Sequence, residues 1–164
     1  MLRCLFIPCA LIAASGHCAS SRVGEVEVRE GHAGAPCFTI SQAEQERGGA
    51  PHFQSISVRE DGSLGRTAAA WRMEMPRQRT FAVTYRMCIP YAGRLPVLPQ
   101  TSAAPLKAGQ LYEVVLGARA PLAKDGPRSY RGWFCMEADG QGVLRARGVG
   151  YRHDRTCRRS VASL

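Results

Sequence analysis

QLYEVVLGARAPLAKDGPRSYRGWFCMEADGQGVLRARGV, residues 110–149, holds three strands and two turns. Apolar and polar residues alternate over residues 110–119 and again over 129–138, the two-residue period that puts successive side chains on opposite faces of a sheet. Lys124-Asp125-Gly126-Pro127 lies between these runs and carries turn chemistry: Gly frees φ and Pro fixes it. Asp139-Gly140-Gln141-Gly142 then turns the chain into a third run, residues 143–149.

The same period extends toward the N-terminus. Residues 23–30 alternate, and Cys37-Phe38-Thr39-Ile40 forms a short second strand. Ser41-Gln42-Ala43-Glu44 has the form of a capping box, and Gly48-Gly49 ends the one short helical turn that the sequence predicts. Residues 53–59 set Phe53, Ser55 and Ser57 against Gln54, Ile56 and Val58. A turn at Asp61-Gly62 precedes a strand over residues 67–75. Residues 81–89 alternate most cleanly, with Phe81, Val83, Tyr85, Met87 and Ile89 on one face. Prolines 90, 96, 99 and 105 make residues 90–108 a long extended connection. Short strands at this spacing must bury one face against another sheet. They predict an all-β fold: a single immunoglobulin-like β-sandwich of about seven or eight antiparallel strands.

Seven cysteines fall into two groups. Cys4, Cys9 and Cys18 belong to the leader MLRCLFIPCALIAASGHCAS, in which Arg3 precedes an apolar run over residues 4–14. That is the three-part pattern of an export signal, and the run is too short for the roughly 20 residues of a bilayer span. Residues 1–18 are therefore read as a signal peptide, and 19–164 as one domain with a basic C-terminal tail. Ser15-Gly16-His17-Cys18 resembles the lipobox of bacterial lipoproteins, with His17 where that pattern carries a small residue. It makes Cys18 the candidate lipidation site. Simple cleavage after Gly16, Ala19 or Ser20 is the alternative route.

Export leaves Cys37, Cys88, Cys135 and Cys157 in an oxidising compartment as an even set, the signature of two disulfides. Three connectivities are open to four thiols. The pairing favoured is Cys37–Cys88 with Cys135–Cys157, because the second closes the shorter loop and ties a polar tail to a strand. By parity Cys37, Cys88 and Cys135 face away from the main apolar positions of their strands.

The formal charge is +9. Residues 143–164 hold arginines 145, 147, 152, 155, 158 and 159 against the single acid Asp154. Such a tail suits an acidic protein or an anionic surface. Export and the lack of any nucleic-acid module argue against nucleic acid. No CxxC pair occurs, and His153 with Cys157 is too few ligands for structural zinc. No GxSxG, HExxH, GxxxxGK[ST] or SxxK motif occurs either. His32 and His52 are not tied to a thiol by any pattern, and Asp154 beside His153 reads as solvated charge. The chain is read as non-enzymatic, with no metal and no cofactor.

Cys37-Phe38-Thr39-Ile40, Ile56-Ser57-Val58, Cys88-Ile89-Pro90, the run LKAGQLYEV at 106–114 and Phe134-Cys135-Met136 occur in that order. The set resembles the immunity periplasmic lipoproteins associated with type VI secretion, over roughly residues 23–150. The resemblance implies a periplasmic protein, membrane-anchored through lipid on Cys18, that holds a cognate secreted toxin inactive. A basic inhibitor of this kind suits an acidic patch on its partner, which speeds encounter. The alternative is a cell-envelope assembly or adhesion module that uses its sheet edges for strand addition.

Overall fold

Tyr112, Val114 and Leu116 are buried to 1% exposure or less, while the intervening Val115 is only half-buried. The alternation read from the sequence thus becomes one face of a strand turned to a core. The computed structural model describes residues 22–61, 69–93, 98–119, 126–150 and 157. The strands are β1 (Val23–Glu30), β2 (Pro36–Ile40), β3 (Phe53–Glu60), β4 (Trp71–Glu74), β5 (Ile89–Pro90), β6 (Leu111–Ala118), β7 (Ser129–Ala138) and β8 (Leu144–Val149). Among the described residues there is one α-helix, α1 (Gln42–Gly48), besides a 3-10 turn at His32–Gly34; α1 starts as the capping box predicts, the Ser41 hydroxyl accepting from the Glu44 N–H at 3.2 Å.

The strands lie in the order β4-β3-β6-β7-β1-β2-β5, with β8 also paired to β7. The fold is all-β in class but departs from the expected immunoglobulin-like antiparallel sandwich in two respects. β1 runs parallel to β7, with Val23 opposite Ser129 and Glu25 opposite Arg131. The strands also form a single mixed sheet that curls into a half-barrel, where two facing sheets were expected. The curl has a local cause. β7 pairs with β1 through its first residues and with β8 through residues 133–138. Where it changes partner, β1 passes across it at backbone distance. A Cβ on Gly132 would sit 2.6 Å from the Val26 carbonyl oxygen, and one on Gly148 would sit 3.0 Å from that of Val28. Only glycine permits this approach.

Inside the curl Phe38 packs on Trp71 and Phe134, with ring centroids 6.4 and 5.6 Å apart, and Tyr112 stacks on Phe134 at 5.3 Å. Aromatic contacts of this kind add to the burial term. They join β2, β4, β6 and β7 into one core. Phe53 belongs to that core together with Ile56 and Val58, although parity set them apart. A register shift between Phe53 and Ser55 in the β3–β6 ladder inserts an extra residue and turns Phe53 inward.

Residues 98–104 cover the outer edge of β4. The Glu74 N–H donates to Pro99 O, Thr101 N–H to Arg72 O and Ala104 N–H to Ala70 O, at 2.8–3.0 Å. At the far end of β7 the predicted hairpin forms. Asp139 accepts from the N–H groups of Gln141 and Val143, both at 2.9 Å. The leader with Cys4, Cys9 and Cys18, the turn residues Gly62, Lys124 and Asp125, and arginines 152, 155, 158 and 159 with His153 and Asp154 lie outside the described residues. No described helix is long and apolar enough to cross a membrane.

Candidate functional site

Residues 81–89, expected to form the clearest strand, do not join a ladder beyond an isolated bridge at Ala82 and the two residues of β5. Their backbone donors go elsewhere. Val83 N–H reaches Pro51 O at 2.9 Å, Tyr85 N–H reaches Gln45 Oε1 of α1 at 2.8 Å, and Met87 N–H closes a turn on Thr84 O at 3.0 Å. The buried Thr39 hydroxyl also donates to Thr84 O at 2.8 Å. With these groups satisfied by a loop, a side chain and a turn, no partner strand is required. Val83 and Ile89 still enter the core, whereas Met87, of the same parity, is 41% exposed.

What fixes this irregular segment is a disulfide. Cys88 is bonded to Cys37 of β2, with Cα atoms 5.4 Å apart. The second bond joins Cys135 of β7 to Cys157, with Cα atoms 5.6 Å apart. Cys37 and Cys135 are excluded from the main apolar core, as their parity requires, yet both are buried, at 8% and 1% exposure. Beside Cys135 on that outer face Trp133 is also buried. The outer face is therefore covered around the second disulfide, which parity alone does not show.

Next to Cys88 an apolar crevice of about 280 Å³ opens between Met73, Phe81, Met87, Ile89, Pro90 and Gly93. Phe81 forms one wall, stacked on Phe53 at 4.9 Å. Small-molecule sites occupy about 300–1,000 Å³, so this open crevice takes one or two side chains more readily than a whole ligand. Tyr91 follows it in the chain. Its hydroxyl donates to Ala104 O at 2.7 Å and its ring meets Trp71 edge-on at 5.4 Å. Burial, with a smaller contribution from Tyr112, pushes the Tyr91 hydroxyl up to about 12.

A second, polar crevice of about 260 Å³ lies on the outside of β3 and β4, lined by Ser55, Ser57, Arg59 and Arg72. Its cations are neutralised in place. The buried Glu113 accepts from Arg59 at 2.6 Å and pairs with Arg131 at 3.0 Å, and Arg72 pairs with Glu74 at 2.9 Å. Arg22, Arg29, Arg47, Arg145 and Arg147 are each paired with a carboxylate as well.

The lipidation candidate Cys18 lies outside the described residues. Among the described residues no group of His, Cys, Asp and Glu could hold a metal ion. Sequence reasoning missed the crevice, because residues 81–89 alternate as a strand does, yet of that alternating set only Val83 and Ile89 are buried and Met87 is exposed. Pro90 closing the run and the absence of any acid over residues 76–93 were the available signals. No protein-family model matches the chain, nor does any curated protein or solved structure.

Proposed function

We propose that this chain is an exported protein that binds and neutralises a partner protein outside the cytoplasm. In this reading it is an immunity protein that holds a cognate secreted toxin inactive in the periplasm, anchored to the membrane through lipid on Cys18. The observation that carries binding is the irregular segment at residues 81–89, which the Cys37–Cys88 bond holds open as an apolar crevice. A surface ordered before contact binds without a further ordering cost. Two disulfides suit an oxidising compartment.

Strand addition is less well supported, since the β4 edge is already occupied by residues 98–104. The direct test is periplasmic co-expression of a candidate toxin with and without this protein, followed by co-purification. Survival and a stoichiometric complex are expected for the cognate pair. Intact mass of the mature protein checks the anchor: a gain of acyl mass on Cys18 is expected. No protection from any toxin encoded beside it would reject the role.

A further inference from the structure

The arginines of this protein are divided by position. Those on the sheet faces are paired with carboxylates, but among the described residues Arg77, Arg79, Arg86, Arg119 and Arg128 form no ion pair with one. Four of the five gather at one end. Arg77 and Arg79 lie in a turn closed by the Arg79 N–H on Pro76 O at 2.9 Å. Arg119 donates its N–H to His52 O at 2.9 Å, and His52 bridges Ala82. The Arg128 carbonyl accepts from the N–H of Ala118, the residue before Arg119, also at 2.9 Å. Arg86 completes the set, held only by Tyr85, its guanidinium 5.6 Å from the ring centroid.

Part of this unpaired charge, Arg77, Arg79 and Arg86, belongs to the same stretch of chain that lines the apolar crevice. Arg79 precedes the Phe81 wall by two residues, and Arg86 directly precedes Met87. Residues 76–93 contain three arginines and no Asp or Glu. Unscreened like charges repel one another, and each guanidinium offers a planar fork that fits a carboxylate with two parallel hydrogen bonds. From this juxtaposition we infer that the crevice and its arginines form the docking surface for an acidic protein segment. An apolar side chain of the partner fills the space between Phe81, Met87 and Ile89, and flanking carboxylates pair with Arg77, Arg79 and Arg86. This inference rests on the partner-binding role proposed above and names the chemistry of the partner.

The shape favours a protein over a membrane. The floor of the crevice is Met73 and Ile89, 1% and 8% exposed, and recessed groups cannot enter a bilayer as protruding ones do. A volume of about 280 Å³ instead matches an anchor residue ringed by polar contacts, the usual anatomy of a binding hot spot.

The test uses the oxidised, isotopically labelled protein and three short peptides. The first has a central Phe-Leu pair flanked by glutamates, the second replaces the glutamates by lysines, and the third replaces Phe-Leu by Ser-Ser. Phosphatidylglycerol vesicles are titrated in parallel. The first peptide is expected to give saturable amide shifts confined to residues 76–93, weakening with salt, while the other two give none. Combined R77A, R79A and R86A substitutions, all at exposed positions, are expected to weaken it roughly tenfold, from the modest worth of exposed ion pairs taken three together. R86E alone should weaken it further than R86A. Equal binding of the lysine peptide, shifts centred on the Ser55–Arg59 face, vesicle binding without peptide binding, or no saturable shift would each overturn the inference. Peptide binding at this surface with no protection in co-expression would reject the neutralising role and leave the surface standing. Protection that survives the triple substitution would reject the surface and leave the role.

Discussion

Removing the Cys37–Cys88 bond should cost more than removing Cys135–Cys157, and should release a different part of the molecule. The cysteines of the first pair are 51 residues apart and those of the second 22. Cross-linking loops of these lengths lowers the entropy of the unfolded chain by amounts worth roughly 4.1 and 3.4 kcal/mol at 25 °C. The logarithmic dependence leaves a difference of only about 0.7 kcal/mol. Loss of side-chain burial largely cancels between the variants, because Cys37 and Cys135 are both buried. Against a total stability of about 5–15 kcal/mol for a domain of this size, each double variant, C37A/C88A or C135A/C157A, still folds, with only about 1 kcal/mol to spare if the starting value is at the bottom of that range. The sharper readout is therefore local. In C37A/C88A the amides of Val83, Tyr85 and Met87, bonded to a loop, a side chain and a turn, should exchange well before those of β6 and β7. In C135A/C157A they should stay protected. Urea unfolding measures the first quantity and native-state hydrogen exchange the second. A larger loss of stability in C135A/C157A, or amides 83–87 in C37A/C88A that exchange only with global unfolding, would refute the reasoning.

Three further outcomes are expected. S41A removes the hydroxyl that accepts from Glu44 N–H and should lower stability by about 1 kcal/mol in urea unfolding; an unchanged midpoint would deny the cap. G132A drives a methyl to within 2.6 Å of the Val26 carbonyl oxygen, a backbone atom that cannot rotate away, and should cost about 1–3 kcal/mol, whereas G140A, where nothing lies within 4 Å, should cost little. Tyr91 stays neutral in the fold up to about 12, against 10.0 in the unfolded chain. Unfolded molecules then lose that proton first, so stability is unaffected below pH 10 and falls as the pH rises toward 12. Burial also raises Tyr112 and Tyr130, so ultraviolet titration should show several late-ionising tyrosines, of which Y91F removes one ionising near 12; an unchanged late phase in Y91F would deny it.

The strands that could be read from the sequence are those whose neighbours in the sheet are also neighbours in pattern. Residues 129–138 alternate, the Asp139 side chain anchors the turn that follows, and the observed β7 and β8 match the reading almost to the residue. What could not be read depends on contacts between distant segments. The parallel pairing of Val23 with Ser129 spans most of the chain. Its sequence trace is a set of glycines, at 24, 132 and 148, that lie within strands with no turn to justify them. The Phe53 reversal depends on one extra residue in a ladder with β6. Residues 81–89 carry a period of two without a partner strand, because Gln45 and Pro51 take up the donors that alternation had assigned to a sheet. The crevice follows the same rule: Phe81, Met87 and Ile89 share a parity within one segment, but its floor also needs Met73 of β4, which no local pattern brings to them.

The disulfide and the arginines also explain one another. A segment that bears Arg77, Arg79 and Arg86 without a compensating acid and makes few ladder bonds has two reasons to leave the sheet: self-repulsion and the backbone entropy regained on release. Apolar burial of Val83 and Ile89 opposes this at about 1.5–3 kcal/mol per fully buried side chain, which is comparable to the entropy of only a few residues. The bond from Cys88 to the buried Cys37 acts at the point where that balance is closest. It anchors the segment one residue before Ile89 and one after Met87, an exposed wall of the crevice. A binding surface of this composition can thus keep its charges unpaired and available only where the bond persists. On this argument the chemistry proposed to attract an acidic partner depends on an oxidising compartment that preserves the disulfide, and a reduced molecule should lose its affinity for the glutamate-flanked probe before it loses its β-sheet.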